Sequence, residues 1–186
     1  MKIVLENIGK RFNKEWIFRN VNYEFSINEK YAILGTNGCG KSTLLQIIAG
    51  AMSQSEGEIT HNHTLSLPSP KGKEADVQPS PFGGDGGGGL SFAAPYLELP
   101  EEMTWKEAVK FHGKFKKYVN GFSGEKIIAL SGLESSSEKE IRNFSSGMKQ
   151  RARLALAILS DTPLLLLDEP CTNLDKAGME WYNKLV

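Results

Sequence analysis

The residues 35–43, "GTNGCGKST", combine three glycines, one lysine and two adjacent hydroxyl side chains. Glycines at 35, 38 and 40 let backbone N–H groups curl around an anion, and Lys41 can reach terminal phosphates. Ser42 stands where its hydroxyl can ligate Mg²⁺, with Thr43 beside it, and Thr36, Asn37 and Cys39 supply further loop amides. This is GxxxxGKS, a phosphate-binding loop, and it implies a nucleoside triphosphate without naming which one. A second chemical element must complete it, because one hydroxyl cannot hold the metal alone. "LLLLDE" offers that element: Asp168 at the end of an apolar run would hold Mg²⁺, and Glu169 would polarise an attacking water. An ordinary buried strand running into a polar loop would read the same way in isolation. A Gly-rich turn that merely precedes Lys-Ser is the plainer alternative for the loop, which the flanking elements weigh against.

These residues need elements to position them. Tyr31-Ala32-Ile33-Leu34 reads as a short buried strand, and Leu44, Leu45, Ile47 and Ile48 recur at helical spacing as far as Gly50. Upstream, "KIVLENIGKRF" and the alternation of Val21, Tyr23, Phe25 and Ile27 predict antiparallel strands, and Glu58-Ile59-Thr60 a further short one. Residues 66–89 hold seven glycines and four prolines and read as a flexible linker. The spacing then predicts a helix over residues 104–118. Thr104 and Glu107 form its capping box, and Trp105, Ala108, Val109, His112 and Phe115 share one face. Five lysines on the same helix mark a solvated face or a docking face. "SSGMKQRARLALAILS" predicts another helix starting near Ser145 and Ser146, and residues 164–167 a strand.

The 186 residues are 40% hydrophobic with a formal net charge of zero, which suits one globular domain and gives no basic footprint for a nucleic-acid partner. No apolar run reaches membrane-spanning length and "MKIVLENIG" lacks a signal-peptide core, so the expected compartment is the cytosol. Cys39 and Cys171 read as free thiols there. His61 and His63 could share a strand face, but no third metal ligand is near them in sequence.

The quoted motifs carry a family resemblance. "FSSGMKQRARLALAILSDTPLLLLDEPCTNLD" resembles the signature helix, Walker B strand and D-loop of an ABC-type ATPase, and "YAILGTNGCGKSTLLQIIAG" its Walker A segment. The resemblance implies an α/β fold: a P-loop core with a mainly parallel sheet, N-terminal antiparallel strands and a helical subdomain. The expected organisation is one cassette over residues 1–186. Residues 1–65 and 151–186 would form the core, 66–89 the linker and 97–150 the helical subdomain. By resemblance, Ser145 and Gly147 would contact the γ-phosphate of ATP held by a second subunit in a head-to-tail homodimer or heterodimer. Phe12 would stack on adenine, with Trp16 as a second candidate and a core aromatic as the plain alternative for both. Asn173, Leu174 and Asp175 match the D-loop, although Asp175 could simply cap the next helix.

The implied function is the ATP-binding and hydrolysing subunit of a transporter, driving a separate membrane-spanning subunit from the cytoplasmic face. A non-transport ABC ATPase and a nucleotide-binding module with little turnover are the alternatives. Two departures bear on turnover. The family's glutamine ahead of the helical subdomain aligns with Ala94 or Pro95, and the chain stops at Val186, before the family's switch histidine is reached. Ser146 and Met148 also replace a usual glycine and glutamine of the signature. The expectation is a shortened cassette that binds MgATP and hydrolyses it slowly.

Overall fold

In a computed structural model the chain forms two compact units, Met1–Gly84 and Asp85–Val186. The structure describes residues 2–26, 28–62 and 89–186; Ile27, His63 and residues 66–88 of the expected linker lie outside these.

The first unit is built on strand β1 (Lys2–Phe12), which pairs antiparallel on one side with β2 (Glu15–Ser26) and on the other with β3 (Glu56–Asn62). The expected strand around Ile59 is therefore present. Ile3, Leu5 and Ile8 of β1 are buried, and helix α1 (Lys41–Ile48) buries Ile47 and Ile48. Gly57 runs at φ 83°, and a Cβ there would stand 2.4 Å from the Asn7 and Glu6 carbonyl oxygens, so β3 meets β1 where only glycine fits.

Residues 31–34 depart from the sequence reading. They form no strand, and Leu34 is 88% exposed. Both edges of β1 are already paired, and Tyr31 is drawn sideways onto β2. Its ring meets Phe25 edge-on at 5.0 Å and Tyr23 at 5.8 Å, and its hydroxyl accepts from Ser26 N at 2.9 Å. An apolar run without a neighbouring strand has no ladder in which to place its backbone groups. On β2, Val21 and Phe25 are half-buried as the alternation predicts, whereas Tyr23 is exposed.

The second unit contains a parallel pair, β4 (Leu90–Ala93) and β5 (Leu164–Leu167), in register from Leu90 against Leu164 to Ala93 against Leu167. Around them lie α2 (Trp105–His112), α3 (Gly124–Ser131), α4 (Ser146–Ile158) and α5 (Lys176–Leu185). Trp105, Val109, Ile127, Ile141 and Ala155 form the centre of its core. Thr104 caps α2 through the expected capping box with Glu107. The helix is shorter than predicted, ending at His112, and Phe115 is 73% exposed instead of buried. Tertiary contacts end it: Tyr118 turns back so that its hydroxyl donates to Val109 O at 2.7 Å, and its backbone bridges to Ser160. The residues between are thereby pulled out of the helical path.

Candidate functional site

In the first unit the phosphate loop ends on Gly40, at φ 96°, which is the N-cap of α1. A Cβ at Gly40 would stand 2.5 Å from Ile17 Cγ2 and 2.9 Å from the Phe18 ring, so the loop closes against β2 as only glycine allows. Gly38, at φ 81°, faces open space, and residues 35–39 are exposed. Lys41 Nζ donates to the carbonyls of Gly35 at 2.9 Å and Thr36 at 2.8 Å. These bonds turn two loop carbonyls inward to the ammonium and leave the exposed amides of the turn to meet an anion. Ser42 and Thr43 lie half-buried in the first turn of α1. Cys39 is exposed, its sulfur 2.5 Å from where a Cβ on Gly35 would stand. It fills the space under Gly35 and is a free thiol.

Neither aromatic candidate is a core residue. Phe12 is exposed with Lys10 Nζ 5.1 Å from its ring centre, and the Trp16 ring centre has the guanidinium carbons of Arg11 at 5.5 Å and Arg19 at 4.2 Å. Arg19 is itself held by a two-pronged ion pair to Glu56, whose carboxyl lies below its ordinary range for that reason.

In the second unit β5 delivers Asp168 into the interior. The residue is 4% exposed, its N–H donates to Ala93 O at 2.9 Å, and its Oδ2 has no hydrogen-bond partner among the described residues. A buried carboxylate oxygen left unpaired is costly, and a divalent cation is the group that such an oxygen suits. The donor set therefore fits Mg²⁺ at Asp168. Glu169 follows in a left-handed conformation, φ 44°, exposed, its Oε2 accepting from Thr172 Oγ1 at 3.1 Å. A non-glycine residue held at positive φ directly after the metal-binding candidate points to a constrained, functional turn. Gln150 of α4 braces that turn from behind, donating to Pro170 O at 3.0 Å.

The signature residues gather with the D-loop residues. Ser145 is the N-cap of α4, accepting from Met148 N at 3.3 Å. A Cβ at Gly147 would stand 3.0 Å from Asn173 O, so α4 and the D-loop touch through a glycine. Asp175 caps α5 by accepting from Gly178 N at 2.7 Å. Ser145, Gly147, Asn173, Leu174 and Asp175 line a cleft of about 570 Å³, together with Arg151 and the turn around Gly132. Ala94 is buried and Pro95 half-buried, and neither offers a metal ligand. The structure adds Gln150, Arg151 and Trp181 to the residues that sequence reasoning singled out. Gln150 carried a signal, since it is a polar residue on the apolar side of an Ala/Leu-rich helix.

The ABC transporter family matches residues 18–172 of this chain. The chain is 32% identical over 183 residues to the energy-coupling factor transporter ATP-binding protein of Thermotoga maritima, covering 94% of this chain and 63% of that protein. It is 33% identical over 182 residues to the aliphatic sulfonates import ATP-binding protein of Bacillus cereus, covering 94% and 64%. The chain thus spans less than two thirds of the length of these curated relatives. A dimeric structure of a bacterial ABC transporter cassette superposes with a TM-score of 0.74 at 26% identity, over 98% of this chain and 80% of that one. A second, described as a dimeric post-hydrolysis state bound to ADP and phosphate, gives 0.72 at 25% identity. With an open glycine loop at one helix, an unpaired buried carboxylate after an apolar strand and a signature helix capped by serine, the chain belongs to the ABC transporter family.

Proposed function

We propose that the chain binds ATP with Mg²⁺ and couples its hydrolysis to the work of a separate membrane-spanning subunit. The observation that carries this is the buried, unpaired Oδ2 of Asp168 in a chain that also presents an exposed glycine loop around Lys41. In this reading the two units form one cassette: residues 1–65 and 151–186 supply the nucleotide core, 66–89 the linker and 97–150 the helical subdomain. Loop amides of residues 35–40 and the Lys41 ammonium hold the phosphates, and Phe12 or Trp16 stacks on the base. Ser42 and Asp168 would hold Mg²⁺, which when bound neutralises charge on the phosphate oxygens. Glu169 orients the attacking water. Ser145 and Gly147 meet the nucleotide of a second cassette arranged head to tail, and the cleft beside them closes when ATP is present. The chain works at the cytoplasmic face through its membrane partner, and no nucleic acid is involved. Among the described residues no helix is long and apolar enough to cross a membrane.

A second reading, nucleotide binding with slow turnover, is favoured by Ala94 or Pro95 aligning where the resemblance implies a metal-sensing glutamine. Calorimetric titration with MgATP tests the main reading. Lys41→Ala is expected to weaken binding roughly 10- to 100-fold, the size of a lost charge-assisted hydrogen bond. Asp168→Asn is expected to abolish the dependence of affinity on magnesium. Unchanged affinity in Lys41→Ala overturns nucleotide binding at this loop. Turnover by the isolated chain at the rate of an intact cassette overturns the slow-turnover reading alone.

A further inference from the structure

The turn that carries Glu169 closes on itself. Thr172 N–H donates to Glu169 O at 3.0 Å, and Leu174 N–H donates to Cys171 O at 3.1 Å. These bonds shape the turn without fixing where it stands against the rest of the unit. Helix α4 supplies an outside support, Gln150 Nε2 donating to Pro170 O at 3.0 Å. Gln150 is 1% exposed, and the other residues that α4 buries are alanines and leucines.

A buried amide can be turned either way, and only one way serves this turn. Flipped, Gln150 would set its own oxygen against the Pro170 oxygen. Arg153, nearly one turn further along α4, decides the orientation. An Nη of its guanidinium donates to Gln150 Oε1 at 3.3 Å, and a guanidinium has no acceptor to offer a reversed amide. Arg153 is held in its turn by Nε donating to Leu97 O at 2.6 Å, in the segment between β4 and α2. The acidic groups near it are Glu98 and Glu101, and Glu101 is ion-paired with Lys149. Arg153 makes no ion pair with either carboxylate and spends its donors on two neutral oxygens instead. A surface cation would take the carboxylates; this one is used for its planar, directional fork.

We propose that Arg153 is a positioning residue for ATP hydrolysis: it fixes the Gln150 amide, and the amide holds the turn from Glu169 to Thr172 in place. The inference rests on the reading of Glu169 as the residue that orients the attacking water. Glu169 sits at φ 44°, a conformation that a non-glycine residue keeps only where its surroundings impose it. A loosened turn therefore lets the carboxylate leave its place.

The test reads three quantities on the full chain: amide hydrogen exchange of residues 169–174 without nucleotide, MgATP affinity by calorimetry, and single-turnover hydrolysis at saturating MgATP. Arg153→Met keeps an unbranched side chain and loses both bonds. It is expected to speed exchange in the turn, leave exchange in α2 and α3 unchanged, keep affinity within about twofold and slow hydrolysis about tenfold or more. Gln150→Glu keeps an acceptor for Arg153 but loses the donor to Pro170 O, and is expected to behave in the same way although its bond to Arg153 is stronger. Arg153 is half-buried, so Arg153→Met keeps the test decisive where Gln150→Glu fails to fold. Wild-type hydrolysis, or wild-type exchange in the turn, in either folded variant overturns the inference alone. So does a loss of hydrolysis matched by an equal loss of affinity, or faster exchange spread through α2 and α3, since either assigns Arg153 to the fold. A wild-type chain that binds MgATP and turns over none of it overturns the reading of Glu169 and this inference with it.

Discussion

The phosphate loop and the signature turn have the same local recipe, glycine and serine residues leading into a helix, and the structure treats them differently. The phosphate loop is exposed from residue 35 to 39, and Lys41 is bonded to two of its carbonyls. The signature turn is pinned from three directions: the Ser145 cap, the D-loop backbone 3.0 Å from a Cβ at Gly147, and a core whose Trp105 is fully buried. A loop that wraps a polyphosphate must keep its amides open. In the proposed reading the Ser145 turn meets a nucleotide from outside and must instead be held at a fixed angle, which a packed helical unit can do.

Truncations of similar kind in the two regions should therefore differ most. Trp105 is fully buried and its Nε1–H donates to Ser131 Oγ at 3.2 Å, so Trp105→Ala is expected to cost about 3–5 kcal/mol. Leu34→Ala, at a residue 88% exposed, is expected to stay within about 0.5 kcal/mol. Urea denaturation followed by circular dichroism measures both. A loss of about 2 kcal/mol or more for Leu34→Ala would break the comparison, because it would place residues 31–34 in a packed strand as their sequence reads.

What was legible in the sequence was local. The capping box of Thr104 and Glu107, the Ser145 cap, helix α1 ending just before Gly50 and the strand of four leucines each depend on residues within one or two turns of each other. What was not legible depends on distant partners. An apolar run becomes a strand only where a neighbour offers its edge, and Tyr31 instead joins the rings of Tyr23 and Phe25. The helix predicted to reach Tyr118 ends at His112, because Tyr118 bonds back to Val109 and pairs with Ser160. The Arg151 and Trp181 contact joins two helices whose sequences give no hint of each other. The motifs that place the chain in its family were readable since their residue types are restricted; the contacts that support them were not, since many apolar residues can serve as a ledge.

Acid should act on the packed region through His112. Its ring is stacked on Tyr118 and its Nε2 lies 2.8 Å from Ser160 Oγ; the nearby cation is Lys116, which donates to Leu90 O. Burial, and then the Lys116 charge, lower the His112 pKa from 6.5 to about 4. Between those values the unfolded chain binds a proton that the folded chain refuses, so stability falls as pH drops from about 6.5 to about 4. The loss amounts to about 3 kcal/mol at most. Above this window the histidine contributes no slope. Denaturation midpoints across the window should be flatter in His112→Gln than in the wild type by that amount, and equal slopes would show that the imidazole is not kept neutral by its packing.

The smallest effect separates two roles of one carboxylate. Asp175 accepts from Gly178 N at 2.7 Å and so caps α5, while its position on the cleft wall gives it a place beside Ser145. Asp175→Ala is expected to lower stability by about 1 kcal/mol, and Asp175→Ser, which can accept the same bond, to restore it in a thermal melt. Nucleotide-dependent self-association, followed by sedimentation velocity with a non-hydrolysable ATP analogue, then distinguishes the roles. If the cleft wall works because its backbone is held, serine restores association along with stability. If the carboxylate itself is needed when the cleft closes, serine restores the melt and leaves association weak, and the pinned region would then owe its function to charge as well as to angle.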